Sequence, residues 1–150
     1  MSYHLSRSLV VPRPLDEVFA FFGDARNLER LTPAFLNFTI LTPQPIEMRP
    51  GALIDYRISL RGLPLTWTSE ITEWHPPFAF VDQQRRGPYR KWIHRHTFTE
   101  VPGGTRVSDD VEYEVLGGAL IHALFVKRDL QTIFNYRLAV LNDLFHDELA

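Results

Sequence analysis

The run WIHRHTF, residues 92–98, carries two histidines separated by a single residue. Successive side chains of a β-strand point to opposite faces, so His94 and His96 share one face with Trp92 and Phe98 if this run is a strand. Histidine titrates near neutral pH, can donate and accept hydrogen bonds, and ligates metal ions. The pattern therefore predicts a site for ligand binding, proton transfer or metal ligation, provided that this face lies inside the protein.

Neighbouring segments indicate which face is inside. From about residue 35 to 115, hydrophobic alternation predicts a series of antiparallel strands, beginning with FLNFTILTP at residues 35–43 and ending with TRVSDDVEYEV at residues 105–115. One face of the last strand is almost entirely charged and must meet solvent. Its other face contains Asp109, which we therefore expect to point inward, as His94 and His96 do.

Helical segments flank the predicted strands. PLDEVFAFFGDARNLERLTP, residues 14–33, predicts two short helices, and apolar residues at three- and four-residue steps predict one long helix from about Ala119 towards Leu149. A helix of this length can bury its apolar stripe only by lying across the sheet. The predicted fold is α+β: a curved antiparallel β-sheet of about seven strands around a long C-terminal helix, with two short helices after strand 1.

The inward polar groups allow several interpretations. Burial costs about 1–3 kcal/mol for each polar group that is neither hydrogen-bonded nor solvated, so these groups must pair or line a cavity. His94 and His96 could form a structural cluster with Asp109, Tyr56 or backbone atoms, or could orient a ligand's oxygen atoms. They could also act as a general acid/base pair, or bind a metal with Asp109 or another acid as third ligand.

The sequence predicts only approximate positions for Arg137 and for the remaining histidines. Arg137 lies beside the apolar stripe of the long helix and could reach solvent, or pair with Asp109 or with a ligand carboxylate. The remaining histidines are predicted to occupy loop, surface or helix-end positions: His4, His75, His122 and His146.

The composition is that of one soluble globular domain spanning residues 1–150. The chain has a net charge of −2, 45% hydrophobic and 13% aromatic residues, and no cysteine. The lack of cysteine excludes disulfides, thiolate metal sites and a cysteine nucleophile. No signal-peptide pattern and no stretch of about 18 apolar residues occurs, so we expect a cytoplasmic protein without stable membrane insertion.

A basic cluster at residues 85–95 raises the question of nucleic-acid binding. Five of the chain's 16 lysines and arginines lie there, close to Tyr89 and Trp92. Strand alternation places Trp92 on the opposite face from Lys91 and Arg95, so the basic and aromatic groups do not form one surface. We therefore predict no nucleic-acid partner.

The order of elements resembles the START-like or SRPBCC superfamily, the birch-pollen-allergen-type helix-grip proteins, and its bacterial polyketide cyclase/dehydrase-like members. Three stretches carry this resemblance: PRPLDEVFAFFGDARNLERLTP, ITEWHPPFAFVDQQRRGPYRKWIHRHTF and VKRDLQTIFNYR. The resemblance implies a single START-like ligand-binding domain with a deep hydrophobic pocket between sheet and C-terminal helix. It implies no universal catalytic residue.

We therefore predict a carrier or sensor that binds a small hydrophobic or aromatic molecule in this cavity. The alternative is a polyketide cyclase/dehydratase-type enzyme that uses His94 or His96 as general acid/base, with Asp109 as a further catalytic candidate. No cofactor and no metal is predicted, and we expect a monomer or homodimer. The predicted pocket residues are Tyr56, Trp67, Ile71, Trp92, His94, His96, Phe98, Asp109, Val111, Tyr113, Phe134 and Leu138.

Overall fold

The computed structural model describes residues 2–147 and forms one seven-stranded sheet with a long helix against its concave face. All neighbouring strands pair antiparallel, in the order β1-β7-β6-β5-β4-β3-β2. The strands are β1 (Tyr3–Val11), β2 (Thr39–Ile40), β3 (Leu53–Leu60), β4 (Leu63–His75), β5 (Ala79–Arg86), β6 (Tyr89–Val101) and β7 (Gly104–Val115). The predicted helix-grip fold is confirmed.

Helices occupy the two predicted regions. The first region contains α1 (Leu15–Phe22) and α2 (Asn27–Arg30), followed by a single 3₁₀ turn (Ala34–Leu36). The long helix consists of α3 (Gly118–Ile121), a π-helical segment (His122–Val126) and α4 (Lys127–Asp147). Its predicted end at Leu149 lies outside the described residues. None of the helices within residues 2–147 has the length and hydropathy needed to cross a bilayer.

Strand alternation positions the side chains as expected. In β6, Trp92, His94, His96 and Phe98 are all buried, whereas Arg95 between them is exposed. Asp109 in β7 is only 1% exposed and points to the same side of the sheet. Both histidines and this carboxylate therefore face the long helix.

Two hydrophobic clusters fill the space between sheet and helices. One contains Phe19 and Phe22 of α1 packed with Phe98 of β6 and with the C-terminal half of α4. The other contains Trp67, Trp92 and Val111 of the sheet and Phe134 of α4. An apolar helix stripe and an apolar sheet face stabilise one another by this burial, at about 25 cal/mol per Å² of apolar surface. The candidate site lies where the two clusters meet.

The structure differs from the sequence prediction at FLNFTILTP. This stretch forms a 3₁₀ turn and only the two-residue strand β2, instead of a strand throughout. Asn37 has a φ of 48° and ends the 3₁₀ turn in a left-handed conformation. A left-handed residue interrupts the extended backbone that a strand requires, so pairing with β3 begins only at Thr39.

His122 is also placed differently from the prediction of a surface or helix-end position. It is only 8% exposed, its Nε2 lies 2.8 Å from the Tyr113 hydroxyl, and its ring stacks on Tyr3 with centroids 3.5 Å apart. His122 begins the π-helical segment, which lies over β1 and β7 at this point. Sheet packing thus covers a residue whose sequence position suggested a helix end.

Three of the five basic residues of β5 and β6 pair with acids on the outer face of the sheet. Arg85 pairs with Glu70 at 2.7 Å and Arg95 with Glu73 at 3.2 Å. Lys91 pairs with Glu112 on β7. This side of the sheet is therefore a surface of paired opposite charges.

Candidate functional site

A cavity of about 170 Å³ lies between the concave face of the sheet and α4. Most of its wall is apolar or aromatic, and its acidic and basic side chains, apart from tyrosines, are Asp82, His94, His96 and Arg137. The principal aromatic and aliphatic wall residues are Phe38, Ile54, Tyr56, Ile58, Trp67, Ile71, Phe80, Tyr89, Trp92, Leu130, Ile133 and Phe134. Polar groups within such a wall would orient a bound molecule.

Five side chains form what we call the polar cluster: Asp82, His94, His96, Asp109 and Arg137. They come from β5, β6, β7 and α4, so the cluster exists only when these four elements pack together. Asp82 lies opposite His94 and Asp109 opposite His96 in the strand registers, yet the hydrogen bonds run diagonally. His94 bonds Asp109 and His96 bonds Asp82.

Asp109 is the most deeply buried member of the cluster. Its Oδ1 accepts a hydrogen bond from His94 Nε2 at 2.8 Å. Arg137 approaches both carboxylate oxygens, with Nε 3.2 Å from Oδ2 and Nη2 3.2 Å from Oδ1. This two-point contact is the geometry by which guanidinium binds carboxylate most strongly. Asp109 does not line the cavity and instead supports the residues that do.

The hydrogen bonds define a neutral tautomer for His96. Its Nε2 lies 2.6 Å from Asp82 Oδ2, and because a carboxylate only accepts, Nε2 carries the proton. Its Nδ1 lies 3.4 Å from Nη2 of Arg137, which can only donate. His96 therefore donates at one nitrogen and accepts at the other.

Within residues 2–147, His94 forms a hydrogen bond through Nε2 and none through Nδ1. Since Nε2 donates to Asp109, Nδ1 of a neutral ring presents a lone pair. Asp82 Oδ2 lies 3.9 Å from Nδ1, beyond hydrogen-bonding distance. Two acceptors thus face one another across a gap at the edge of the cavity.

Ring stacking holds the imidazoles in place. The centroids of His94 and His96 are 3.7 Å apart, and His96 stacks on Phe80 at 4.0 Å. The guanidinium carbon of Arg137 lies 5.3 Å from the Phe22 ring centroid, so its free face packs against an aromatic ring. The cluster is therefore preorganised by packing as well as by hydrogen bonds.

Burial and neighbouring charges determine the protonation states. Burial and, to a smaller extent, the neighbouring His94 lower the pKa of His96 to about 4 despite the hydrogen bond to Asp82. Burial alone would raise the pKa of Asp109, but Arg137 and His94 outweigh it and hold that pKa well below its usual range. At Asp82, burial likewise favours a higher pKa, but the hydrogen bond from His96 and nearby positive charge have the larger combined effect and lower it. Both carboxyls are ionised at neutral pH.

A second set of polar groups lies on β3 and β4, in the same sheet as most of the polar cluster. Trp67 Nε1 donates to Ser69 Oγ at 2.9 Å, and the Tyr56 hydroxyl lies 3.3 Å from the same oxygen. Burial raises the pKa of Tyr56, so its hydroxyl stays protonated. These neutral groups leave ionic recognition to the polar cluster.

The predicted pocket residues occupy two positions relative to the cavity, and their role in ligand binding stays a prediction. Seven line it: Tyr56, Trp67, Ile71, Trp92, His94, His96 and Phe134. The other five are outside its lining: Phe98, Asp109, Val111, Tyr113 and Leu138. Phe98 packs among the phenylalanines of α1, while Val111 and Tyr113 belong to the cluster around Trp92.

Sequence reasoning missed Asp82, the cluster member whose side chain is most exposed towards the cavity, at 18%. A signal was present, because Asp82 is two residues from Phe80 in FAFVDQQRR and so shares its inward face. The sequence also left the partner of Arg137 open, and the structure pairs it with Asp109.

Asp82, His94 and His96 are also the residues that could hold a metal ion. One ligand atom from each lies within 4.8 Å of the others. Two imidazoles and a carboxylate suit a divalent transition metal. His96 would first have to give up the Nε2 proton that bonds Asp82, and the guanidinium of Arg137 beside its other nitrogen opposes an added cation.

Comparison with solved structures reveals the same fold in several proteins. The Zhui aromatase/cyclase from a Streptomyces species superposes with a TM-score of 0.77 at 13% identity, over 100% of this chain and 97% of that one. Protein Ms6760 from Mycobacterium smegmatis gives 0.71 at 19% identity, over 97% and 92%. A major latex-like protein from Panax ginseng gives 0.69 at 12% identity, over 97% and 98%. These identities establish the fold alone.

Family membership rests on the sequence. No curated protein matches the chain. The model of one family, polyketide cyclase/dehydrase and lipid transport, matches residues 11–136. That range runs from the end of β1 to the middle of α4, and it includes Asp82, His94, His96 and Asp109 but ends one residue before Arg137. The chain therefore belongs to the polyketide cyclase/dehydrase and lipid transport family, within the START-like superfamily predicted from its sequence.

Proposed function

We propose that this protein binds a small hydrophobic or aromatic molecule in the cavity between sheet and C-terminal helix, as a carrier or sensor. The observation that carries the proposal is an aromatic-walled cavity with ionisable groups gathered at one place. Apolar walls with a few convergent polar groups are typical of small-molecule sites.

The cavity volume limits the size of the ligand. An engineered apolar cavity of about 150 Å³ binds benzene, whereas pockets for drug-sized molecules measure roughly 300–1,000 Å³. The cavity of about 170 Å³ in this protein is close to the lower figure. It matches a ligand with one aromatic ring or two fused rings, and a longer chain of rings would need the walls to move apart.

Ethylbenzene titrated calorimetrically into the protein tests this proposal. We expect a Kd of about 0.01–1 mM, within the ligand-efficiency range for so few atoms. Ile133→Trp, which enlarges a half-buried residue of the cavity wall on α4, should weaken binding at least about tenfold.

Val140→Trp is the matched control, since Val140 is half-buried on the same helix but packs in the other cluster, away from the cavity. It should leave the Kd unchanged. Failure of ethylbenzene to bind the wild type, or equal weakening by both substitutions, would contradict binding in this cavity.

A second candidate function is enzymatic, of the polyketide cyclase/dehydratase type. It is favoured by His94, whose Nε2 is fixed by Asp109 while Nδ1 presents an unbonded lone pair at the cavity. An imidazole oriented by a buried carboxylate is the usual arrangement for a general base. Such a base would remove a proton from carbon next to a ligand carbonyl.

Proton exchange measures this chemistry directly. With 4-phenyl-2-butanone in D₂O, an enzyme of this kind would replace the protons next to the carbonyl with deuterium faster than buffer does, as NMR would record. His94→Gln should abolish the acceleration, and His75→Gln, at an exposed residue, should not. A wild-type rate equal to that of buffer would reject this function and leave the carrier proposal standing.

We further propose that residues 1–150 act as one domain in the cytoplasm, as a monomer or homodimer and without a nucleic-acid partner. The paired charges on the outer face of β5 and β6 support the last point. Lysines and arginines already matched by acids offer little free positive charge to phosphates.

A further inference from the structure

The polar cluster contains more negative than permanent positive charge. Asp82 and Asp109 are both ionised, whereas Arg137 is the cluster's one permanent cation. Arg137 makes two contacts with Asp109, so that pair is balanced. Among the described residues, no arginine or lysine forms an ion pair with Asp82, whose carboxylate accepts a hydrogen bond from His96 Nε2.

The unbalanced charge is located at the cavity. Asp82 lines the cavity, and its side chain is 18% exposed, compared with 2% for Asp109. One carboxylate oxygen accepts from His96 Nε2, and a carboxylate can accept several further hydrogen bonds. The cavity therefore presents a carboxylate with acceptor capacity to spare.

A neutral His94 ring offers a second acceptor beside it. Nδ1 of His94 is 3.9 Å from Asp82 Oδ2, and no hydrogen bond to it occurs within residues 2–147. The separation is too long for a direct hydrogen bond but short enough for one donor group to bond both atoms. A group that donates hydrogen bonds would relieve the repulsion between these acceptors.

Groups that only accept a hydrogen bond are disfavoured at Asp82. The Arg137 guanidinium also lines the cavity, but its Nε and Nη2 are directed at Asp109 and His96, and one of its faces packs on the Phe22 ring. A ligand carboxylate would add a negative charge next to Asp82, where a low dielectric strengthens the repulsion. An ether oxygen has no proton to donate, so its lone pairs would repel those of the Asp82 carboxylate.

We infer that the cavity selects aromatic ligands whose polar end donates a hydrogen bond to Asp82, as a phenolic hydroxyl or an ammonium does, and that an ammonium can donate a second one to Nδ1 of a neutral His94. This inference rests on the proposed binding function and adds the chemical class of the ligand. The aromatic walls formed by Trp67, Trp92 and Phe134 would enclose the ring and also favour a positive charge.

A series of ligands on one frame tests the inference by calorimetry at pH 7. The compounds are ethylbenzene, 4-ethylphenol, 4-ethylbenzylamine, 4-ethylanisole and 4-ethylbenzoate. We expect the phenol, the ammonium or both to bind at least about tenfold more tightly than ethylbenzene, and the anisole and benzoate to gain nothing. The comparison of phenol with amine identifies which donor the site prefers.

Asp82→Asn removes the charge and should reduce the affinity for the preferred donor ligand at least about tenfold relative to that for ethylbenzene measured with the same variant. Asp110→Asn is the matched control, because Asp110 lies on the exposed face of β7 and bonds Ser6. The wild-type series keeps the test decisive even if Asp82→Asn folds poorly.

The outcomes separate this inference from the function on which it rests. If no compound binds, including ethylbenzene, the proposed binding function fails. If ethylbenzene binds and all five compounds have similar affinity, or if the benzoate binds most tightly, the binding function stands and the donor-end inference is overturned.

Discussion

Replacing Arg137 with methionine is expected to lower the free energy of unfolding by about 3–5 kcal/mol. Methionine keeps much of the side-chain volume but leaves Asp109 ionised, 1% exposed and bonded only by His94. Removing one partner from a buried ion pair leaves an uncompensated charge, which costs far more than the pair contributes. Urea denaturation followed by circular dichroism measures the loss.

Two further variants identify the cause. Arg137→Met combined with Asp109→Asn removes both charges and should recover a large part of the loss, since no unpaired ion remains. Arg61, in the turn between β3 and β4, has an exposed guanidinium that pairs with Asp129 of α4 at 2.9 Å. Arg61→Met should therefore lower the free energy of unfolding by only about 0–1 kcal/mol. A loss below about 1 kcal/mol for Arg137→Met would contradict the buried pair.

Acidification from pH 7 to pH 5 is expected to lower the stability by about 2 kcal/mol through His96 alone. Its pKa falls from 6.5 to about 4 on folding, chiefly because burial disfavours the charged ring. Between pH 6.5 and pH 4, His96 is protonated in the unfolded chain and neutral in the folded protein. The contribution is therefore fully present above pH 6.5 and is lost as the pH falls towards 4.

His96→Gln removes this titration and should flatten the dependence of the unfolding free energy on pH between 7 and 5. His75→Gln, at an exposed histidine, should leave the slope as it is in the wild type. The carboxyls do not interfere in this range, because Asp82 and Asp109 have lowered pKa values and lose their contribution only as the pH approaches 3.8 and below. An unchanged slope in His96→Gln would contradict a neutral, buried His96.

These two predictions bear on how the candidate site works. The members of the polar cluster are buried or half-buried and hydrogen-bonded to one another, so the cluster can bind a ligand's polar end without reorganising. Asp109 acts as a positioning residue, since it does not line the cavity and bonds His94 and Arg137, which do. The groups of the polar cluster that a ligand would meet are Asp82, His94, His96 and Arg137.

The sequence by itself determined the order of elements and the side of the sheet on which each residue lies. Period-two alternation in β6 and β7 was enough to place His94, His96 and Asp109 inside, because the opposite face was charged. The three- and four-residue spacing of α4 was enough to predict a helix lying across that face. These patterns are local, and each can be read within one segment of the chain.

The tertiary structure alone decided which inward residues touch. Asp82 meets the histidines because of the register between β5 and β6, and Arg137 meets Asp109 because of how α4 rotates over the sheet. Register and helix rotation depend on packing between segments far apart in sequence, so no local pattern encodes them. The same reason explains His122, whose burial depends on the neighbouring strands. Alternation gives the face on which a side chain lies, and only packing gives its neighbour.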